Sequence, residues 1–164
     1  MLEKFKKIKL LAMDFDGVMT DGYVYVDENG VESVRCSRKD GLGVEMLQKT
    51  GIEMAVLSKE QNPVVLQRCK KLGIPCINNI YDGSGKLALL KNLAARKGIG
   101  LDEVAYMGDD LNDRDVLEKV GLAITVADGH EEIKKICHYV TAAKGGEHAV
   151  REICEKILKV YKFL

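Results

Sequence analysis

Short apolar runs alternate with amphipathic segments along almost the whole chain, and this alternation constrains the fold more than any other feature. Ile8–Met13, Glu53–Leu57 and Val104–Met107 read as buried strands, and Ile74–Ile77 and Leu122–Thr125 as weaker ones of the same kind. Helical patterns lie between and beyond them, at Leu42–Lys49, Pro63–Leu72, Lys86–Lys97, Asp113–Val120 and Val150–Tyr161. Strands alternating with helices of this length pair in parallel through right-handed crossovers. The expected fold is therefore α/β, a doubly wound, Rossmann-like parallel sheet. One segment breaks the rhythm: Val24–Val26 and Val31–Val34 flank Asp27-Glu28-Asn29-Gly30, a hairpin signal in which Asn-Gly supplies positive φ angles. The hairpin projects after the first strand, before a helix expected to start at Asp40-Gly41.

The remaining composition fits one soluble domain spanning residues 1–164, with two prolines and no linker or repeat. Basic and acidic residues balance at 25 each, which argues against nucleic-acid binding through bulk positive charge. No apolar run is long enough to span a membrane, and Met1–Lys7 leads into only a short apolar stretch, so no signal peptide is expected. The five cysteines are never spaced Cys-x-x-Cys, so neither a disulfide framework nor a zinc site follows; reduced, mostly buried thiols in a cytoplasmic protein are expected. His130, His138 and His148 share no ligand spacing, and the lysine-rich C-terminal helix reads as a solvated amphipathic face.

In a doubly wound sheet, ligands gather at the carboxyl ends of the strands. Asp14-Phe15-Asp16-Gly17 stands at the end of the first strand, Ser58 at the end of the second, and Gly108-Asp109-Asp110-Leu111-Asn112-Asp113 after Val104–Met107. Carboxylates crowded on one edge repel one another, so they need a cation; oxygen-only ligands favour a hard ion, and Mg²⁺ suits a few carboxylates plus waters. Such a site can perform phosphoryl transfer. An Asp carboxylate can attack phosphorus to form an aspartyl-phosphate, and a second Asp two residues on can protonate the leaving alkoxide and later activate water. Gly17 lets the backbone approach the phosphoryl oxygens, while Ser58 and Lys86, in Gly83-Ser84-Gly85-Lys86, supply a hydroxyl and an ammonium. Gly-Ser-Gly-Lys lacks the spacing of a Walker A loop.

These residues, in this order, resemble the haloacid dehalogenase superfamily of phosphatases. The resemblance implies that Asp14 is the nucleophile and Asp16 the general acid/base. It also implies that Mg²⁺ is held by Asp14, the backbone carbonyl of Asp16 and Asp109, and that Asp110 and Asp113 orient metal-bound water and the lysine. Superfamily members usually carry a cap domain between these motifs. Here 44 positions separate Asp14 from Ser58 and 28 separate Ser58 from Lys86, which leaves no room for one. The chain is expected to be capless, with the hairpin at residues 22–36 as its one spare element.

Among capless members, the branch acting on 3-deoxy-2-keto sugar acids is the most similar. The resemblance is carried by Asp14-x-Asp16-Gly17-Val18-x-Thr20-Asp21-Gly22, by Val104–Asp113, and by Lys144-Gly145-Gly146 ahead of Ala149–Glu152. The branch implies homotetramers whose hairpins form a central barrel and whose neighbours close each active site. It includes phosphatases for 3-deoxy-D-manno-octulosonate 8-phosphate, for nonulosonate 9-phosphates, and a phosphatase-like domain of some cytidylyltransferases. Glu60, Arg68 and Lys71 match the nine-carbon branch, where they contact substrate, the Arg and Lys from a neighbour. The tail Ala149–Cys154 looks more like the eight-carbon enzymes, although Gly145-Gly146-Glu147-His148 departs from their Gly-Gly-Arg-Gly. The eight-carbon activity is the expectation, with the nine-carbon one as its rival. A catalytically idle tetramerisation module and a phosphotransferase are further alternatives; the intact Asp14, Asp16, Lys86 and Asp109 argue against the idle module.

Overall fold

The computed structural model describes residues 1–61, 63–78 and 83–161. In chain order its elements are α1 (Leu2–Lys6), β1 (Leu10–Met13), β2 (Thr20–Val26), β3 (Glu32–Cys36), α2 (Arg38–Gln48), β4 (Glu53–Leu57) and α3 (Pro63–Leu72). They continue with β5 (Cys76–Ile77), α4 (Gly83–Arg96), β6 (Val104–Met107), α5 (Arg114–Leu117), β7 (Leu122–Thr125), α6 (Glu131–Ile136), β8 (Tyr139–Val140) and α7 (Ala149–Val160). Six strands form one parallel sheet in the order β5-β4-β1-β6-β7-β8, and β2 and β3 pair separately as an antiparallel hairpin. Leu10 lies in register with Glu53 on one side and Val104 on the other. The chain winds outward from β1 in one direction through β4 and β5, then in the other through β6, β7 and β8. The reversal between β1 and β6 is the topological switch point where such sheets form a ligand crevice.

The central strands are almost wholly apolar, with Glu53 and Thr125 at strand ends, because both faces of the sheet are covered. Alternation of side chains divides β1 cleanly. Leu11 and Met13 join Val44 and Leu47 of α2 and Ile153 and Ile157 of α7 on one face. Leu10 and Ala12 join Leu90 and Ala94 of α4 and Val116 and Leu117 of α5 on the other. The C-terminal helix is amphipathic, as expected, and buries Val150, Ile153, Cys154, Ile157 and Leu158 along one stripe. Nothing folded beyond the hairpin and α2 lies between β1 and β4, so the sheet is capless on that side.

Local chemistry moves several boundaries. Helix α2 begins at Arg38 rather than at Asp40, because Ser37 Oγ accepts hydrogen bonds from the N–H groups of Lys39 and Asp40. Asp40 is instead buried in the first turn, where its Oδ1 accepts from Arg151 N at 2.8 Å and caps α7 from outside. In the hairpin turn Gly30 takes a φ of 76° while Asn29 does not take a positive φ. Asp27 Oδ1 accepts from Asn29 N and Val31 N, each at 2.8 Å, and Gly30 N donates to Asp27 O, a tight turn ended by a left-handed glycine. The expected Asp113–Val120 helix is a 3₁₀ turn, Leu111–Asp113, followed by the short α5. The elements α1, α6 and β8 are too short to show a period in the sequence.

Candidate active site

The cluster is assembled by three loops that leave the carboxyl ends of β1, β4 and β6, together with the first turn of α4. Asp14 follows β1 directly, and its N–H donates to Met107 O at 2.9 Å, which carries the sheet ladder one residue further. The chain then turns back, with Phe15 O accepting from Met19 N and Thr20 N. Gly17 sits at φ 73°, and a β-carbon on it would lie 1.9 Å from Asp109 Oδ2, so glycine is required twice over. The turn is pinned by Thr20 Oγ1, which accepts from Gly17 N at 3.2 Å and Gly22 N at 3.1 Å and donates to Asp16 Oδ1 at 3.3 Å. From behind, Gly145 packs so closely that a β-carbon would lie 1.9 Å from Gly17 O, and Gly146 N donates to Val18 O at 3.0 Å. The Lys144-Gly145-Gly146 stretch thus supports the Asp16-Gly17 turn.

Both oxygens of Asp14 are engaged. Oδ1 accepts from Phe15 N at 2.7 Å and Oδ2 from Lys86 Nζ at 2.5 Å. Lys86 comes from the first turn of α4, is fully buried, and also donates to Asp113 Oδ1 at 2.8 Å. Asp113 accepts two more donors, Tyr106 OH on Oδ1 at 2.8 Å and Asp109 N on Oδ2 at 3.1 Å. Ser58 is buried after β4; its N–H donates to Ile77 O at 2.9 Å and its Oγ accepts from Glu60 N at 3.1 Å. Asp110 is more exposed and caps the following 3₁₀ turn by accepting from Leu111 N at 2.7 Å.

Burial pushes Asp14 up to about 7 and Asp109 up to about 8, and the neighbouring carboxylates add to the effect in both. Burial also raises Asp16, with Glu60 adding repulsion and the Thr20 hydroxyl opposing it. Burial alone would lower Lys86, but the Asp14 and Asp113 charges outweigh it and hold the ammonium protonated. Oxygens of Asp14, Asp109 and Asp113 lie within 4.8 Å of one another, and two of these three carboxylates share the buried Lys86 ammonium. That uncompensated charge and all-oxygen donor set fit a hard divalent cation. Asp113 is already supplied with three donors, so Asp14 and Asp109 are the carboxylates best able to bind one. The carboxylate of Asp16 stands outside this trio and accepts from the Thr20 hydroxyl.

Asp14, Asp16, Gly17, Ser58, Glu60, Asp109 and Asp110 all line one open cleft of about 210 Å³. Asp16, Gly22 and Glu60 also border a second cavity of about 300 Å³, walled by Phe15 and the hairpin residues Tyr23, Val24 and Val34. Arg68 and Lys71 are not in the cleft. They line a larger groove of about 730 Å³ between the hairpin and α3. Arg68 is not a solvated helix residue: its guanidinium donates to Ser37 O at 2.8 Å, and its Nε is buried without a partner. Sequence reasoning missed what Tyr106 and Thr20 do. Tyr106 was hidden in an apolar strand, whereas Thr20, four residues past Asp16, was a legible hydroxyl. His130 and His138 accept from backbone N–H groups of Glu132 and Ala123.

Residues 58–153 match the family model of haloacid dehalogenase-like hydrolases. The chain belongs to this family. It is 39% identical over 158 residues to the 3-deoxy-D-manno-octulosonate 8-phosphate phosphatase of Escherichia coli K12, a match covering 96% of this chain and 82% of that protein. The fold is similar to the phosphatase of the same name from Moraxella catarrhalis, solved in complex with magnesium ion, phosphate ion and a KDO molecule. That match has a TM-score of 0.92 at 39% identity and covers 97% of this chain and 90% of the other. The cobalt-bound phosphatase from Haemophilus influenzae gives a TM-score of 0.90 at 31% identity, covering 97% and 92%. The family is thus the one its sequence motifs resemble, and the matched segment contains Ser58, Lys86, Asp109 and Asp113. Asp14 and Asp16 lie ahead of it and are brought to it by the β1–β6 pairing.

Proposed function

We propose that the chain is a Mg²⁺-dependent phosphomonoesterase that removes the phosphate of a 3-deoxy-2-keto sugar acid, 3-deoxy-D-manno-octulosonate 8-phosphate, through an aspartyl-phosphate. One observation carries the chemistry: Asp14 is buried at the mouth of the sheet, held on one oxygen by Phe15 N and on the other by Lys86. The similarity to octulosonate 8-phosphate phosphatases over nearly the whole chain supports the substrate.

A carboxylate oxygen of Asp14 attacks phosphorus while the sugar alkoxide departs with a proton from Asp16. Asp16 is suited to this because burial and Glu60 raise it toward the protonated form. Asp16, now ionised, takes a proton from water, which attacks phosphorus and releases phosphate with Asp14 restored. Ser58 and Lys86 meet the phosphoryl oxygens. Mg²⁺, held by Asp14, Asp109 and the Asp16 carbonyl, would offset repulsion between the nucleophile and the incoming dianion.

The assembly proposed is a homotetramer with the hairpins at its centre. Tyr23 is 73%, Tyr25 63% and Val26 60% exposed in one protomer, on both faces of a two-stranded ribbon that is marginal alone in water. Arg68 and Lys71, remote from their own cleft, are assigned to the carboxylate of a substrate bound in a neighbour. The five free cysteines suit a cytoplasmic enzyme. No helix among the described residues is long and apolar enough to cross a membrane.

Phosphate release with Mg²⁺ from octulosonate 8-phosphate, a nonulosonate 9-phosphate and an aryl phosphate tests the reading. The highest kcat/KM is expected on the eight-carbon substrate. Preference for the nine-carbon one would reassign the sugar acid, and no hydrolysis of any of the three would defeat the function.

A further inference from the structure

We infer that Tyr106 is a positioning residue for phosphoryl transfer: its buried hydroxyl holds Asp113, and through Asp113 the Lys86 ammonium that reaches Asp14. The inference rests on the catalytic reading above and adds a residue to it. Tyr106 lies on β6 with no solvent exposure, and its ring packs in the core cluster that contains Leu90, Val116 and Leu117. A ring held this way on a central strand fixes where its hydroxyl points. The hydroxyl has one proton to donate, and burial and the nearby carboxylates hold it on the oxygen. It goes to Asp113 Oδ1 at 2.8 Å, the same oxygen that accepts from Lys86 at 2.8 Å.

Two carboxylates compete for one ammonium here. Lys86 is shared between Asp14 Oδ2 at 2.5 Å and Asp113 Oδ1 at 2.8 Å, and Asp113 has no contact with solvent. A donor on Oδ1 draws charge out of that oxygen and weakens its pull on Lys86, so the ammonium stays with the nucleophile. Removal of the hydroxyl leaves Oδ1 with Lys86 as its one described partner, and no water replaces the lost bond cheaply. Lys86 then shifts toward Asp113, and the Asp14 carboxylate loses the contact that sets its angle of attack. A misplacement of this kind at a nucleophile costs rate rather than substrate binding.

Tyr106→Phe keeps the ring and removes the donor alone. We expect kcat to fall roughly 10-fold and KM to change by less than about 2-fold, equally on the sugar-acid phosphate and on an aryl phosphate. The rates are referred to the folded fraction from a urea transition, so a loss of fold does not count as a loss of chemistry. In an Asp113→Asn background the same change should reduce the residual single-turnover rate by less than about 2-fold, because the relay is already cut. Wild-type kcat in Tyr106→Phe, or a full additional loss in the Asp113→Asn background, would overturn the inference. An inactive wild-type enzyme would instead overturn the catalytic reading on which it rests.

Discussion

A β-carbon at Gly17 would stand 1.9 Å from Asp109 Oδ2, so the loops after β1 and β6 meet where glycine leaves room for the Asp109 carboxylate. Gly17→Ala faces that clash, which turns the Asp109 carboxylate aside, and a φ of 73°, which strains the loop after β1. We expect phosphatase activity to fall at least about 100-fold, in line with the cost of ångström-scale misplacement in an active site, while the far sheet remains folded. Far-UV circular dichroism and a kcat measurement check this; retention of more than half the activity would contradict it.

The raised carboxylates make metal and pH act together. Asp14 and Asp109 sit at about 7 and about 8 when folded and near 3.8 otherwise, so the folded, metal-free protein binds protons more tightly than the unfolded chain. The stability these groups contribute is full below about pH 4 and is lost as pH rises through 7 and 8. Mg²⁺ binds the ionised cluster, so its stabilisation should grow over the same interval. Thermal unfolding should show Tm of the EDTA-treated protein falling between about pH 5 and 8.5, with Mg²⁺ raising Tm more at the alkaline end. Asp109→Asn should flatten the fall and abolish most of the Mg²⁺ effect. A metal-free Tm that climbs with pH would contradict the electrostatics.

The exposed hairpin predicts assembly. Deleting residues Tyr23–Val34 removes Tyr23, Val24, Tyr25, Val26 and Val31, a run of large apolar side chains exposed in one protomer. Light scattering should report a tetramer for the full chain and a smaller species for the deletion. Turnover of sugar-acid phosphates should suffer far more than turnover of an aryl phosphate. A fully active monomeric parent would refute the role given to the hairpin.

For Arg68→Ala, KM for the sugar-acid phosphate should rise roughly 10- to 100-fold, the scale of a hydrogen bond to a charged group. An aryl phosphate without a carboxylate should be little affected. Arg68 also donates to Ser37 O at the start of α2, so Tm is measured alongside. Mixing Arg68→Ala with Asp14→Asn should restore activity through hybrid tetramers if Arg68 serves a neighbour. Equal losses on both substrates would make Arg68 structural, and no rescue would place its action in its own subunit.

Much of this was legible in the residues because the fold is written in period and punctuation. The apolar runs Ile8–Met13, Glu53–Leu57 and Val104–Met107 are enough to put Asp14, Ser58 and Asp109 on one edge, and the strands fall within them. Lys86 was harder to read, since a lysine near a helix start is usually solvated; only the fold closes Asp14 and Asp113 around it. Asp40 resembles a helix start in the sequence, but Ser37 is the cap, and the tertiary partner of Asp40, Arg151 N, lies 111 residues away. Tyr106 looked like core filling, because a strand pattern reports where a ring is buried and not where its hydroxyl points. Asn29 carried a hairpin signal that the turn met with Gly30 alone, using the Asp27 carboxylate to close the loop.

The central claim is that Asp14 becomes phosphorylated. Rapid acid quench of the enzyme with Mg²⁺ and octulosonate 8-phosphate, followed by peptide mass analysis, should find one phosphoryl group on the peptide carrying Asp14. Asp16→Asn should retain the label longer, because water is no longer activated. Asp14→Asn should show neither label nor turnover; undiminished phosphate release by that variant would contradict the mechanism outright.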